Sequence, residues 1–307
     1  MATLNMNMNM NMNMNMNMNM GAGTMMGAPG GTVRFNTMDY RKLVDWTKQI
    51  TAQYNQLIDY PANWDAELRS YVYLQKFVAA YPNFVSDVSG TQALLDKRAE
   101  IWGSAANLTD QVTKMLDATP EREDRFAEII DQHGAEGSLN YWAGMVGIDP
   151  GRHPATNFLL RIARRIGEHV VMNLKAHFKN QRPWQVCPFI VPMIDPPVTP
   201  SFPAGHALQA YLVSFCLADA LPNFPQTTMA ALPTIANISF TGWDQNTGPL
   251  FELAQRVAEN RVIAGLHFPA DIEGGAMVAI ATFARLKALA DYGGLRTAVQ
   301  DEFHQYI

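Results

Sequence analysis

Three short stretches in the second half of the chain carry residue types that can bind an oxyanion and react with it. The first, KAHFKNQRP, contains Lys175 and Arg182, seven positions apart. On a continuous helix this spacing is about 20° short of two turns, which places both cations on one face, roughly 10 Å apart. An arginine fork suits bidentate contact with phosphate, and a lysine supplies a point charge. Taken alone, the patch also fits a solvated basic face.

The second stretch, SFPAGHALQA, places Gly205 and His206 at the expected start of an apolar helix. Backbone N–H groups in the first turn of a helix lack an intrahelical acceptor and point at any anion that binds there. Gly205 lets such an anion approach the backbone closely. The positive helix end lowers the pKa of His206, and a bound anion opposes that shift. We therefore expect His206 to exchange a proton near neutral pH.

The third stretch, NRVIAGLHFPAD, contains Arg261, His267 and Asp271. Gly265 suits the end of one helix and Pro269 the first position of the next, so His267 is expected in the break between them. Asp271 follows four positions later, within reach of the imidazole ring. A carboxylate on one imidazole nitrogen leaves the other free to act as nucleophile or metal ligand. The His-x-x-x-Asp spacing by itself is common in purely structural settings.

In this order and with these gaps, the three stretches resemble the superfamily of type 2 phosphatidic acid phosphatases and vanadium haloperoxidases. The motifs cover residues 175–271, and the helical pattern from about 154 to 291 fits the core of that fold. The resemblance implies that Lys175, Arg182 and Arg261 hold the oxygens of the oxyanion.

The resemblance gives four further residues a role at the same site. Gly205 donates a backbone N–H to the oxyanion, and His206 acts as the acid or base. His267 attacks phosphorus or, where vanadate is the cofactor, is the axial ligand of the metal. Asp271 orients the ring of His267.

Two positions depart from the superfamily pattern. Ala204 stands where a serine is usual, so one hydroxyl donor to the oxyanion is missing. A lost hydrogen bond to a charged group costs about 1.5–3 kcal/mol. Asn260 replaces the serine commonly found before the arginine of the third stretch. Both departures predict a weakened site unless other groups substitute.

Two reactions fit these motifs. With vanadate as cofactor, peroxide oxidises a halide. Without any cofactor, a phosphate ester is hydrolysed through a phosphohistidine at His267. The cysteine-poor chain and the string AGLHFPADIEGG resemble the soluble haloperoxidase-like branch, so we expect that reaction first. Against it, Thr199 and Met172 stand where active haloperoxidases often carry an aromatic ring or histidine and a tryptophan, respectively.

Two hypotheses from other classes remain open. A non-catalytic, oxyanion-binding helical protein is consistent with Ala204. A zinc site built from His206, His267 and Asp271 is weaker, because three nearby cations would repel a divalent metal.

Composition restricts the class of partner. The formal net charge of −5 argues against nucleic acid or an acidic membrane surface, and we expect a small-molecule substrate. No uninterrupted apolar run of about 18 residues is present, so we predict no membrane span. We see no secretory signal and expect a cytoplasmic or otherwise soluble protein. The two cysteines, Cys187 and Cys216, are interpreted as buried thiols, and a homo-oligomer is left open.

Helical periodicity from about residue 38 onward predicts an all-α fold, a helical bundle of the phosphatase/haloperoxidase type with additional N-terminal helices. Residues 1–32, with eight Asn-Met pairs and a Gly-rich linker, are expected to be disordered. Residues 33–150 are expected to form helices that pack on the core. Residues 151–307 are expected to form the catalytic bundle.

Long helices are predicted over residues 91–116, 156–181, 205–221, 249–264 and 269–291. The second of these is expected to stop at the Arg-Pro step that follows it. His133 matches no motif and is interpreted as a surface or packing residue. Trp184, just after that step, is a candidate for the wall of the site.

Overall fold

The computed structural model describes residues 64–134, 137–233 and 238–303. The predicted disorder of residues 1–32 and the first predicted helix, after residue 38, lie outside the described residues. The chain divides into two units, residues 1–69 and 70–307. Every element that contributes to the site described below belongs to the second unit.

The described helices follow one another closely along the chain. Up to residue 150 they are α1 (Ala66–Ala80), α2 (Phe84–Ser89), α3 (Gln92–Trp102), α4 (Ala105–Asp117), α5 (Arg122–Asp131) and α6 (Gly137–Val146). Beyond it they are α7 (Pro154–Phe178), α8 (Pro183–Val186), α9 (Gly205–Ala220), α10 (Pro249–Ile263), α11 (Pro269–Lys287) and α12 (Tyr292–Glu302). Apart from one isolated β-bridge between Thr228 and Thr247, the described residues form helices, turns and loops. The predicted all-α fold class is confirmed.

Helix α9 lies at the centre of the second unit and packs against α7, α10 and α11. Its apolar residues are buried on every side, as expected for a central helix. Phe215 of α9 stacks on Phe283 of α11 with the ring centroids 5.7 Å apart. Phe215 also packs edge-on against Phe251 of α10, with the ring centroids 5.2 Å apart. These aromatic contacts fix the three helices whose ends carry the second and third motifs.

Gly275 allows α11 to lie close to the start of α9. A Cβ atom at this position would come within 2.5 Å of the Ala204 carbonyl oxygen and 2.9 Å of the Ala207 Cβ. The absence of a side chain therefore brings the first turns of α9 and α11 together. The second and third motifs begin at those two turns.

Three predicted helices are shorter than expected, and one of them, predicted over 269–291, ends four residues early at Lys287. The helix predicted over residues 91–116 is two helices, because Ser104 takes an extended conformation and its hydroxyl caps α4 at the Asn107 N–H. The helix predicted over 156–181 ends at Phe178, where Lys179 adopts a left-handed conformation with φ of 54°. Arg182 precedes a proline and is extended, with ψ of 158°.

The early end of α7 makes one prediction wrong. Lys175 lies on the helix and Arg182 does not, so the two cations do not share one helical face. They reach the same site by different routes, Lys175 from the last turn of α7 and Arg182 from the start of α8.

Helices before residue 150 pack on the central helices. Arg122 of α5 donates to the carbonyl of Ile263 at 2.9 Å, and Lys97 of α3 pairs with Glu273 of α11 at 2.6 Å. The domain boundaries at residues 32 and 150 stay predictions. No helix in the described part of the chain is long and apolar enough to cross a membrane.

Candidate active site

The three predicted motifs meet at one place, where α7, the loop before α9, the end of α10 and the start of α11 come together. His267 is at the centre of this cluster. Burial lowers the pKa of His267 well below its ordinary value, and nearby positive charge lowers it further. The neighbours that supply this effect are Arg182, Lys175, His206 and Arg261.

Lys175 is buried and holds the loop that leads into α9. Its ammonium group donates to the backbone carbonyls of Pro200 and, at 2.7 Å, Ser201. Burial lowers the pKa of Lys175 well below its usual range, Arg182 adds to the shift, and Asp271 opposes it. Its two carbonyl acceptors therefore hold the Lys175 amino group in a fixed position at the site.

Arg182 is fixed by several acceptors. Its Nε donates to the Thr199 carbonyl at 2.8 Å, and its Nη2 donates to the Thr199 hydroxyl at 3.0 Å. Its Nη1 donates to the Leu266 carbonyl at 2.9 Å and contacts His267 Nε2 at 2.9 Å. Burial lowers the pKa of Arg182 to about 10, so the group stays charged at neutral pH.

The hydrogen bonds determine the tautomer of His267. Arginine has only donors, so the Nε2 atom that faces Arg182 must be the acceptor. The proton is therefore on Nδ1, which lies 3.2 Å from Oδ2 of Asp271. A neutral ring with its lone pair on Nε2 is the form that can act as a nucleophile or as a metal ligand.

Asp271 is the third residue of α11 and accepts several hydrogen bonds. Its Oδ2 accepts from the Phe268 N–H at 2.9 Å and from the hydroxyl of Ser201. Burial raises the pKa of Asp271 to about 6, although these two donors and the neighbouring cations oppose the shift. The carboxylate is therefore mainly ionised at neutral pH and can receive the His267 Nδ1 proton.

Ser201 is a site residue that the motif analysis missed. It is fully buried, and its hydroxyl lies 3.4 Å from His267 Nδ1 while donating to Asp271. Its backbone carbonyl accepts from Lys175. The residue begins the quoted stretch SFPAGH, but a single serine has no spacing that distinguishes it from a structural one.

Arg261 has buried nitrogen atoms without a protein partner. Its Nη2 makes two long contacts of 3.3 Å, to the Ile129 carbonyl and to Oε1 of Gln132. Among the described residues, nothing accepts a hydrogen bond from its Nε or Nη1. Burial lowers the pKa of Arg261 to about 10, so the guanidinium is charged. Buried, charged donors without acceptors indicate a site for an anion.

Gly205 and His206 form the first turn of α9, as predicted. The N–H of Ala204 donates to the Asp271 carbonyl at 2.9 Å, which ties this turn to the start of α11. Burial lowers the pKa of His206 to about 3, and the charge of Arg261 adds to the shift. His206 is thus a neutral imidazole at neutral pH in the free protein.

The break after α10 forms at the predicted glycine. Gly265 has φ of 77°, and a Cβ there would lie 3.1 Å from Arg122 Nη2 and 3.2 Å from Ile190. The next two N–H groups, those of Leu266 and His267, turn back to the Arg261 carbonyl at 3.0 and 3.3 Å. This turn directs His267 into the site.

Asn260, at the start of the third stretch, and His133, which lies before the motifs, are also at the site. Asn260 donates to Oε1 of Gln132 at 2.9 Å and accepts from Arg125 at 3.2 Å. His133 is close enough to Arg261 for that charge, together with burial, to lower its pKa. His133 had been interpreted as a surface or packing residue because no motif includes it.

The remaining residues that the sequence singled out lie around the site or away from it. Trp184 packs on the apolar cluster of Ile263 and Leu266, with its ring 5.8 Å from the Arg182 guanidinium carbon. Met172 is exposed. Cys216 is buried and Cys187 is partly buried.

Within the described ranges, no group of three or more His, Cys, Asp or Glu side chains is arranged to hold a metal ion, and the zinc hypothesis gains no support.

Comparison with known proteins gives one match. Residues 156–293 match the model of the PAP2 superfamily. This stretch covers a little less than half of the chain and contains all seven predicted site residues. No curated protein matches the chain. Helices α1 to α6 lie outside the matched stretch.

Proposed function

We propose that the PAP2 superfamily domain of this chain binds an oxyanion at His267 and is an enzyme, with vanadate-dependent halide oxidation as its first candidate reaction. The observation that carries this proposal is the Arg261 guanidinium, whose buried Nε and Nη1 have no acceptor in the described part of the chain. A bound oxyanion supplies the acceptors that these atoms lack.

The buried charges fit a multivalent anion. Lys175, Arg182 and Arg261 are three buried cations. Among the described residues, the buried carboxylate of Asp271 acts on Lys175 and Arg182, and the partly exposed Glu128 acts on Arg261. Unbalanced buried charge is costly, so an anion with several negative charges would be bound strongly. Vanadate and phosphate both meet this requirement.

The residues present fit vanadate. The three cations and the Gly205 N–H would hold its oxygens, and His267 Nε2 would ligate the metal. Bound vanadate supplies a Lewis-acid centre that activates peroxide for the oxidation of a halide. His206 is neutral in the free protein and would accept a proton from the peroxide. Arg182 Nη1 would turn from His267 to an oxygen of the anion, which frees the lone pair on Nε2.

Hydrolysis of a phosphomonoester is the second candidate. Two positions argue against halide chemistry: Thr199 stands where active haloperoxidases often carry an aromatic ring or histidine, and Met172 stands where some of them carry a tryptophan. The Thr199 hydroxyl is engaged by Arg182, and the Met172 side chain is exposed.

In this second reaction His267 is the nucleophile. Its Nε2 attacks phosphorus, the bond to the leaving oxygen breaks, and that oxygen takes a proton from His206. Water then attacks phosphorus, gives its proton to His206, and the N–P bond breaks to release inorganic phosphate. His206 must be protonated for the first step, and the bound dianion raises its pKa in that direction.

A parallel assay separates the candidates. The protein would be incubated with orthovanadate and tested for bromide and iodide oxidation by peroxide, beside hydrolysis of a generic phosphomonoester without vanadate. Each proposed reaction should be abolished by His267→Ala and retained by His169→Ala, a half-buried histidine of α7 whose side chain makes no hydrogen bond to any described site residue. Tight binding of vanadate or phosphate with neither turnover would favour the non-catalytic hypothesis that Ala204 leaves open. No binding of either anion would overturn the proposal.

A further inference from the structure

We propose that Gln132, which lies outside the stretch that matches the PAP2 superfamily, is a positioning residue that directs the Arg261 guanidinium into the oxyanion site. The inference rests on the proposed function, because it assigns Arg261 to the bound anion. It makes α5 a part of the site, although α5 carries no recognisable motif.

Gln132 holds one end of the guanidinium. The glutamine is 0% exposed, and its Oε1 lies 3.3 Å from Arg261 Nη2. The Ile129 carbonyl accepts from the same nitrogen at 3.3 Å. Both partners of Arg261 in the described part of the chain therefore act on Nη2 and come from the end of α5. With Nη2 anchored there, Nε and Nη1 are the atoms left for a ligand.

The direction of the Gln132 amide is fixed by Glu128. Gln132 Nε2 donates to Glu128 Oε1 at 2.9 Å, and Arg256 Nε lies 2.8 Å from both oxygens of the same carboxylate. Although burial acts to raise the pKa of Glu128, the bonds and charge of Arg256 keep it below the ordinary value. An ionised carboxylate only accepts, so the amide nitrogen must face Glu128 and the amide oxygen must face Arg261.

Asn260 connects the same two helices. Its amide donates to Gln132 Oε1 at 2.9 Å and accepts from Arg125 at 3.2 Å. A serine hydroxyl at this position would be shorter than the amide and would carry one donor instead of two. The asparagine that departs from the superfamily pattern thus has a hydrogen-bond partner in Gln132, the C-cap residue of α5. Arg125 and Glu128 are spaced to lie on one face of α5, and Gln132 continues that face towards the end of α10.

The test compares anion affinity in variants of the full chain. Gln132→Met keeps the length of the side chain and removes its hydrogen bonds. We expect it to weaken binding of orthovanadate and of orthophosphate, measured by isothermal titration calorimetry, by about tenfold, as for other groups that orient a ligand-binding side chain. Gln132→Asn keeps the amide but shortens the side chain by one methylene, so its oxygen no longer reaches Arg261. Anion affinity would be measured in this variant as well.

Two controls separate positioning from a structural role. Ser214→Ala removes a buried hydroxyl that binds the Trp142 indole and the Leu250 carbonyl, away from the site, and should leave anion affinity unchanged. In an Arg261→Ala background, Gln132→Met should have no further effect, because its action passes through Arg261.

The outcomes are distinguishable. Reduced affinity in both Gln132 variants, absent in the Arg261→Ala background, supports the inference. Unchanged affinity in Gln132→Met and Gln132→Asn, or an equal loss in both backgrounds, overturns it while leaving the proposed function intact. A wild-type protein that binds neither anion overturns both.

Discussion

At the scale of single residues, Ser201 connects the reacting ring to the group that orients it. Its hydroxyl donates to Asp271 Oδ2 and lies 3.4 Å from His267 Nδ1. Without this donor, Asp271 Oδ2 keeps the His267 and Phe268 contacts but is less firmly placed. Ser201 therefore acts on the reaction through the His267 ring and not through contact with substrate.

We expect Ser201→Ala to lower kcat by about tenfold to a hundredfold while KM changes little, since a hydrogen bond to a charged group contributes about 1.5–3 kcal/mol. The backbone contact to Lys175 is kept, so anion binding should survive. Steady-state kinetics of whichever reaction the protein catalyses would measure the change, with Ser214→Ala as the matched control. A kcat within twofold of the wild type would contradict this role.

The ionisation of Asp271 predicts the acid side of the pH profile. Burial raises its pKa to about 6, so the carboxylate is ionised above that pH and accepts the His267 Nδ1 proton. Below it, the protonated carboxyl no longer holds the reactive tautomer. We expect kcat to fall as pH decreases through about 6, and Asp271→Asn to lower kcat and to remove this step. A step near pH 6 that persists in Asp271→Asn would assign it to another group.

The sequence was sufficient to identify the cations and histidines of the site but not Ser201 and Gln132. Lys175, Arg261 and His267 are rare types at distinctive spacings, and the structure brings them together as expected. Ser201 and Gln132 are common types whose role depends on which helix packs beside them. The packing of one helix beside another cannot be predicted from the spacing of residues within a short stretch of sequence.

At the scale of elements, the sequence located the helices better than their ends. Starts at Gly205, Pro249 and Pro269 coincide with the predicted ones. Proline fixes φ at the value that the first helical position needs, so the two proline starts are determined locally. The breaks at Ser104 and Lys179 were missed, because each residue also fits a helix interior in sequence. Arg182 consequently reaches the site from a different element than predicted.

The end of α7 offers a test of this account. Lys179 is exposed and adopts φ of 54°, a conformation that costs a residue with a Cβ about 1–2 kcal/mol. We expect Lys179→Gly to increase the free energy of unfolding by about 1 kcal/mol, since glycine takes this conformation freely but loses more chain entropy on folding. Lys179→Val should decrease it. Urea denaturation would measure both, and a lower stability of Lys179→Gly would show that the lysine side chain matters.

At the scale of the whole molecule, the site combines residues inside the stretch that matches the PAP2 superfamily with residues outside it. The matched stretch, residues 156–293, supplies the cations and histidines, whereas α5 supplies the groups that hold Arg261. A search based on motifs finds only the first part. Packing of α5 on α10 determines whether the site is complete.

The concentration of buried positive charge predicts how the folded protein responds to salts. Lys175 and Arg182 are buried near the carboxylate of Asp271, and Arg261 is buried near that of Glu128, so these five groups keep one excess positive charge in the free protein. An anion that binds only the folded state increases its stability by about 2.7 kcal/mol at a hundred times its dissociation constant. For a unit of this size we expect Tm to rise by about 5–10 °C with orthophosphate or orthovanadate.

Chloride at the same ionic strength should raise Tm far less, because one charge and one atom cannot satisfy several donors held in fixed directions. Arg261→Ala should reduce the gain from phosphate, since it removes the two buried nitrogens that have no protein acceptor. Thermal unfolding followed by circular dichroism, at matched ionic strength, measures both effects. Equal shifts with phosphate and chloride would mean that the stabilisation is general screening, and that the three cations do not converge on one anion.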